Sequence, residues 1–406
     1  MNGVGYFRLL KKENPDSEVW WDASPVCFTA FKASRVARYP EWAREIDPLL
    51  PNSQSNYYCG ITGATTNPRL INAALFERDC HWAERIRALD GNNDITQLRR
   101  EIYNQLVLEG AAELETMWRH SAKRYGWLSA QVDPHYSDDV SAMVEHGLEL
   151  SRLAPNIMIK VPGSQAGYRA IEQLVAQGCS VNNTFCFTVS QFSAGLDAIE
   201  CGRARAVLAG INVAHARYVI TFMMGRYGAE DEFDRQANSL GILLSTADKR
   251  WAELAIYDAI QVLLASRQTP VRLLLSSIKL DPDDQEGEQC WHLERTGERT
   301  TLYTLPAPII EFLLRRQRAG RPVLPARSLQ IPNQVLDKLL LIDYFTQAFE
   351  LGGVDAVQFS RHPAFITAHQ YACEARPELE GFIESVRTRL PVGRRPMLQA
   401  QTGAWS

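Results

Sequence analysis

The chain has 406 residues, 46% of them hydrophobic and 22% charged, which is enough apolar material for one large barrel or two ordinary domains. A formal net charge of -4 excludes the broad cationic field of a protein whose main partner is nucleic acid, and no stretch is long and apolar enough to span a bilayer. The eight cysteines are scattered, with no C-x-x-C pair and no Cys/His cluster at zinc spacing, so they read as reduced thiols and no metal or cofactor is expected.

Residues 1–20 include Lys11, Lys12, Glu13 and Asp16 and lack the apolar core of a signal peptide, so a soluble, cytoplasmic protein is expected. Apolar, β-rich runs then alternate with segments of helical periodicity. The first run, 18–22, ends in Asp22, and the second, 58–65, leads into Thr66-Asn67-Pro68. A helical pattern over 94–125 precedes a run over 127–132. Helix 140–153 precedes run 157–161, helix 167–177 precedes run 180–184, and helix 189–209 precedes run 218–223. Helix 249–266 is followed by runs at 272–276 and 301–304. Eight strands with intervening helices predict an α/β fold, a closed (β/α)8 barrel rather than an open sheet. The acidic, turn-rich stretch 281–297 reads as a surface insertion before the last strand. Beyond Pro308 the pattern turns helical, with a loop over 322–332 and one long helix around 336–351. A single barrel domain with extra C-terminal helices is expected over 1–390, and a flexible tail over 391–406.

In such a barrel, reactive groups collect where strands end, because those ends and the following loops form the open cup. Lys160 closes the run Ile157-Met158-Ile159-Lys160-Val161, and the two-residue period puts it on the face of Met158. If that face is the interior, the ammonium loses water and becomes an amine able to attack a carbonyl; the plainer alternative is a lysine that snorkels outward. Asp22 is placed to move a proton to or from a sugar hydroxyl, or else to cap a helix. Asn182 and Thr184 share a strand face, and Asn67 follows the second strand, so these groups can hold polyol oxygens; Asn67 also suits a turn or cap before Pro68.

At these residues the sequence resembles the transaldolases. Thr65-Thr66-Asn67-Pro68 resembles that family's T-T-N-P turn, and Ile159-Lys160-Val161-Pro162 resembles the segment carrying its Schiff-base lysine. Gly178-Cys179-Ser180-Val181-Asn182-Asn183-Thr184 resembles the next strand. The resemblance covers roughly 18–279, and the wide spacing between Thr184 and Thr221 is similar to the longer bacterial and plant type. It implies Lys160 as nucleophile, Asp22 as acid/base, Asn67 and Asn182 around a dihydroxyacetone unit, and Thr184 on the catalytic water. Thr221 and Arg226 resemble the family's sixth-strand segment, with Arg226 in the phosphate-binding place. Ser276 and Lys279 resemble the seventh-strand end, where a second cation is found.

Two positions depart from the pattern. Gln131 stands where the family has a catalytic glutamate, although the related fructose-6-phosphate aldolases also have glutamine, and Gly63 replaces an aspartate that often begins the T-T-N-P turn. The implied activity is transfer of a dihydroxyacetone unit between sugar phosphates through Lys160. One alternative is a class I aldolase of specialised sugar or natural-product metabolism, and another is a non-catalytic sugar-phosphate binder. A metal-dependent barrel is disfavoured, since His135 and His146 are too isolated to form a ligand set. Small sugar phosphates are the expected partners, without nucleic acid or membrane, and a homodimer is one option for assembly.

Overall fold

The computed structural model describes residues 4–50, 60–91, 94–283, 287–325 and 328–388. Part of the second predicted run (58–59), Cys59 and the tail 391–406 lie outside the described residues. The eight predicted runs become β1 (Glu18–Trp21), β2 (Gly63–Thr65), β3 (Trp127–Gln131), β4 (Ile157–Pro162), β5 (Val181–Cys186), β6 (Tyr218–Phe222), β7 (Arg272–Leu275) and β10 (Leu302–Leu305). They close into a parallel barrel in the order β1-β10-β7-β6-β5-β4-β3-β2. A short antiparallel hairpin, β8 (Asp281–Asp283) and β9 (Gly287–Gln289), lies outside it.

Side-chain alternation sorts the strand residues into two cores. Ile157, Ile159 and Val161 point outward into the layer shared with the helices. Trp20, Trp127, Met158, Val219, Leu274 and Leu302 point inward and, with Trp118, fill the barrel floor. Two residues further along each of those six strands the inward position is polar or leads to the mouth: Asp22, Ser129, Lys160, Thr221, Ser276 and Thr304. The period of two therefore delivers a dry floor and a polar cup from the same face. Below the floor, Glu18 accepts from the Trp20 indole at 3.0 Å and pairs with Arg217 at 2.5 Å.

The surrounding helices start where the sequence supplies caps. Asp94 accepts from the Gln97 amide ahead of Ile95–His120, Asp139 from Ala142 ahead of Val140–Leu153, and Ser164 from Gly167 ahead of Gln165–Ala176. Thr188 with Gln191 and Ser245 with Asp248 form full capping boxes at Val189–Leu208 and Thr246–Arg267. Among the described residues no helix is long and apolar enough to cross a membrane.

Three expectations change. The stretch 281–297 is not a simple surface insertion: Asp281, Cys290, His292 and Glu294 are buried, and Arg250 ties Asp281 at 2.9 Å to Glu253 at 2.6 Å. Glu253 in turn meets His292 Nε2 at 2.6 Å. One of the acidic residues that read as solvated, Asp281, is a counter-charge for a buried arginine. The long helix around 336–351 is two short ones, Asn333–Leu339 and Asp343–Phe349, broken at Leu340–Ile342 where Ile342 turns extended and goes into the core. The N-terminal stretch contains a helix, Gly5–Glu13, whose Tyr6, Phe7 and Leu10 are buried; the sequence reading missed it because its polar face dominates the composition.

Candidate active site

Lys160 projects into the cup from the end of β4, buried to 9% exposure, and its Nζ donates to the Thr66 carbonyl at 3.1 Å. Burial lowers its pKa to about 8; Arg226 pushes the same way and Asp22 opposes both. Asp22, one residue beyond β1 and half-buried, is raised above the usual carboxylate value by burial, against the pull of Lys160, Thr65, Arg226 and Thr304. The two groups are thus moved toward their neutral forms, an amine and an acid that share one proton field. Thr65 Oγ1 donates to Asp22 Oδ1 at 2.8 Å and lies 2.5 Å from Thr304 Oγ1, which fixes the carboxylate's orientation.

Asn182, fully buried on β5, donates through Nδ2 to Ser129 Oγ at 3.0 Å, while its Oδ1 accepts from Thr221 Oγ1 at 2.7 Å. This hydroxyl-amide-hydroxyl row spans β3, β5 and β6 and locks the amide's direction. Asn67 does both things considered for it: its Oδ1 caps the helix Pro68–Phe76 by accepting from Leu70 N at 2.9 Å, which leaves Nδ2 as the group it can offer a ligand.

Gln131 lies beside Lys160 in the β3–β4 register and is 1% exposed. Among the described residues neither atom of its carboxamide finds a hydrogen-bond partner, and the same holds for the Ser276 hydroxyl. Such buried polar groups can hydrogen-bond a water or ligand that reaches them. Among the described residues the Thr184 hydroxyl has only a 3.9 Å contact, to Met223 Sδ. Two of these strand ends carry backbone strain immediately beyond the site residue, Phe185 at φ 56° after Thr184 and Ser277 at φ 58° after Ser276. Phe185 sits in an irregularity of the β5–β6 pairing.

The departure at Gly63 has a steric cause. A Cβ there would lie 2.7 Å from the Trp20 indole, so the ring that plugs the floor occupies the space a side chain at 63 would need.

Cations gather on the β6–β7 side. Arg226, from the short helix Met224–Gly228, and Lys279 both have lowered pKa values, burial being the main cause and Arg226 adding to the effect on Lys279. The Lys279 backbone is anchored by the buried network described above, since its amide donates to His292 Nδ1 at 3.3 Å. The structure thus brings Asp22, Asn67, Gln131, Lys160, Asn182, Thr184, Thr221, Arg226, Ser276 and Lys279 to the C-terminal ends of seven strands, β1 to β7, around one cup. Among the described residues no group of His, Cys, Asp or Glu is arranged to hold a metal ion.

Sequence reading missed Ser129, Thr65 and Thr304, which the two-residue period beyond Trp127, Gly63 and Leu302 would have found. It also missed Tyr371, on the helix Pro363–Cys373 that crosses the mouth, whose ring lies 4.5 Å from Arg226 Cζ and 4.1 Å from Arg69 Cζ. No local signal marks it. A hollow of about 60 Å³ adjoins the end of β3, lined in part by Gln131, Arg99, Tyr103, Asp133, His146 and Arg376. Arg99 there already pairs with Asp133 at 3.0 Å, and the hollow does not include Lys160 or Asp22.

Residues 47–281 match the family described as Transaldolase/Fructose-6-phosphate aldolase. The chain is 30% identical over 183 residues to Transaldolase 1 of Streptomyces coelicolor, covering 45% of this chain and 48% of that protein. It is 28% identical over the same length to proteins named Transaldolase from Mycolicibacterium paratuberculosis and Mycobacterium tuberculosis, with the same coverage. The matched segment spans about half the length of these curated relatives.

Proposed function

The chain belongs to the transaldolase/fructose-6-phosphate aldolase family, and from that premise we propose that it moves a dihydroxyacetone unit from a ketose phosphate to an aldose phosphate through an imine on Lys160. The observation that carries this reading is Lys160 itself, a buried lysine at the end of an inner strand face with its pKa lowered to about 8, beside a carboxyl, Asp22, whose pKa burial raises above the usual carboxylate value. A solvent-facing lysine would be almost wholly protonated at neutral pH, whereas this one supplies a useful fraction of free amine.

The amine adds to the ketose carbonyl to give a carbinolamine, which loses water to form the imine. Asp22 takes the proton from the hydroxyl on the far carbon of the bond that breaks, the carbon that becomes the aldehyde; that bond's electron pair moves into the imine as an enamine, and the aldose fragment leaves as an aldehyde. The enamine carbon then attacks the acceptor's aldehyde, Asp22 returns the proton, and water releases the new ketose. Asn182, aimed by Ser129 and Thr221, and the free Nδ2 of Asn67 hold the oxygens of the retained unit. Thr184 and Gln131 hold the water of the hydration steps, and Arg226 with Lys279 takes the phosphate.

Gln131 favours a second reading in which free dihydroxyacetone is released. An amide can anchor water but cannot accept its proton, so the partition between transfer and simple aldol cleavage turns on that position.

The test is reductive trapping. Incubation with a dihydroxyacetone-bearing ketose and a borohydride reductant should leave a stable adduct on Lys160, seen by intact mass and located by peptide mapping. Unmodified Lys160 with every ketose tried, or full turnover by Lys160→Met, would sink the mechanism.

A further inference from the structure

The reading above puts a phosphate against Arg226, and three observations identify what aims that guanidinium. Two arginines, Arg69 after β2 and Arg226 after β6, lie against the ring of Tyr371 at 4.1 and 4.5 Å. Their charges are treated differently. Arg69 is paired to Glu374 at 2.5 Å and Glu378 at 3.0 Å, on and beside the same C-terminal helices. Arg226 has no carboxylate at ion-pair distance among the described residues; its compensation comes from the Tyr371 ring and hydroxyl and, more distantly, from Asp22.

That difference has a chemical meaning. A carboxylate partner would hold an arginine in place but would also cancel its charge and compete with an incoming anion. An aromatic face restrains the guanidinium through its quadrupole, and with the Tyr371 hydroxyl taking up one N–H at most, the other N–H groups are left for an anion. The helix that carries Tyr371 is itself fixed at several strand ends. His369 Nε2 meets the Pro134 carbonyl at 2.8 Å beyond β3, and Phe365 packs edge-on against the strained Phe185 of β5 at 5.6 Å.

We propose that Tyr371 is a specificity-determining residue of the anion subsite, holding Arg226 on its ring so that the guanidinium's N–H groups bind a phosphate on the substrate. The proposal rests on the functional reading for the identity of the phosphorylated substrate. It predicts that Tyr371 governs discrimination between phosphorylated and unphosphorylated ketoses without taking part in the chemistry at Lys160.

The experiment compares wild type, Tyr371→Phe, Tyr371→Leu and Arg226→Ala, the leucine being chosen to keep volume while removing the ring. The half-saturating concentration for reductive trapping on Lys160 is measured with one phosphorylated ketose and one unphosphorylated ketose. Tyr371→Leu should raise the value for the phosphorylated sugar on the order of tenfold and leave the other unchanged, and Tyr371→Phe should restore most of the difference. Equal shifts for both sugars, or a phenylalanine variant as impaired as the leucine variant, would overturn the assignment. A second arm uses inorganic phosphate alone: it should raise the Tm of wild type and Tyr371→Phe, but not of Tyr371→Leu or Arg226→Ala. If no ketose labels wild-type Lys160, the imine reading has failed and the phosphate arm alone decides Tyr371. A wild type that gains no stability from phosphate, or a leucine variant that gains as much as wild type, overturns the proposal.

Discussion

At the scale of single residues, Lys160 couples reactivity to stability. Its folded pKa of about 8 lies below the ordinary 10.5, so folding disfavours the ammonium. That cost is complete below pH 8 and fades as the pH rises toward 10.5, where the unfolded chain also sheds the proton. Lys160→Met should therefore stabilise the fold by on the order of 1–3 kcal/mol at pH 7, with the gain shrinking as the pH rises above about 8. Denaturation midpoints of both proteins across that range check it, and a pH-independent difference would show that the ammonium is not desolvated. For the same reason the adduct-forming rate should fall about tenfold per pH unit below pH 8. Gln131 belongs to this balance, since it is Lys160's neighbour in the register and carries no charge. In Gln131→Glu a carboxylate would stand beside the amine. It would supply a base for the water, a gain that typically reaches roughly 10²–10⁴-fold for general-base catalysis, but would raise the pKa of Lys160 through its charge. Transfer by Gln131→Glu should thus rise relative to cleavage while the pH profile of imine formation moves upward. If both rates, their ratio and the profile match wild type, Gln131 does not touch the chemistry.

Among the elements, the strands explain which parts of the site were legible in the sequence. Lys160, Asn182 and Thr184 could be placed on inner faces because a strand's period fixes its sides, and the same rule applied to Trp127 or Leu302 leads to Ser129 and Thr304. Gly63 was legible as a departure from a motif but not as a consequence of Trp20, because the contact crosses from β1 to β2 and only the closed barrel brings the two together. Gly63→Ala should destabilise the protein by about 1–3 kcal/mol through overpacking, and Trp20→Leu in the same chain should recover much of that loss. Additive losses in the double variant, measured by denaturant unfolding, would mean that the indole is not what excludes a side chain at 63. Burial inside 281–297 was illegible for a different reason: a run of acidic residues has the same composition whether it faces water or answers a buried Arg250. The break at Leu340–Ile342 was hidden because an apolar run at helical spacing does not reveal where the chain bends to bury Ile342.

On the scale of the whole molecule, the barrel and the segment beyond it divide the work. The barrel supplies the amine, the acid and the polar row from strands that end by Leu305, and the helix Pro363–Cys373 supplies the ring that restrains Arg226. That helix touches the ends of four strands, through Arg69 beyond β2, Pro134 beyond β3, Phe185 in β5 and Arg226 beyond β6. Its place in the chain has a consequence during synthesis. Once β10 has left the ribosome, every strand needed to close the barrel is available, and closure would take Lys160 out of water. Tyr371 emerges only later. On the proposed reading, a nascent protein whose barrel closes in that interval would carry its amine and an anion subsite still without the aromatic wall, so small unphosphorylated carbonyl compounds would find it less discriminating than the finished protein.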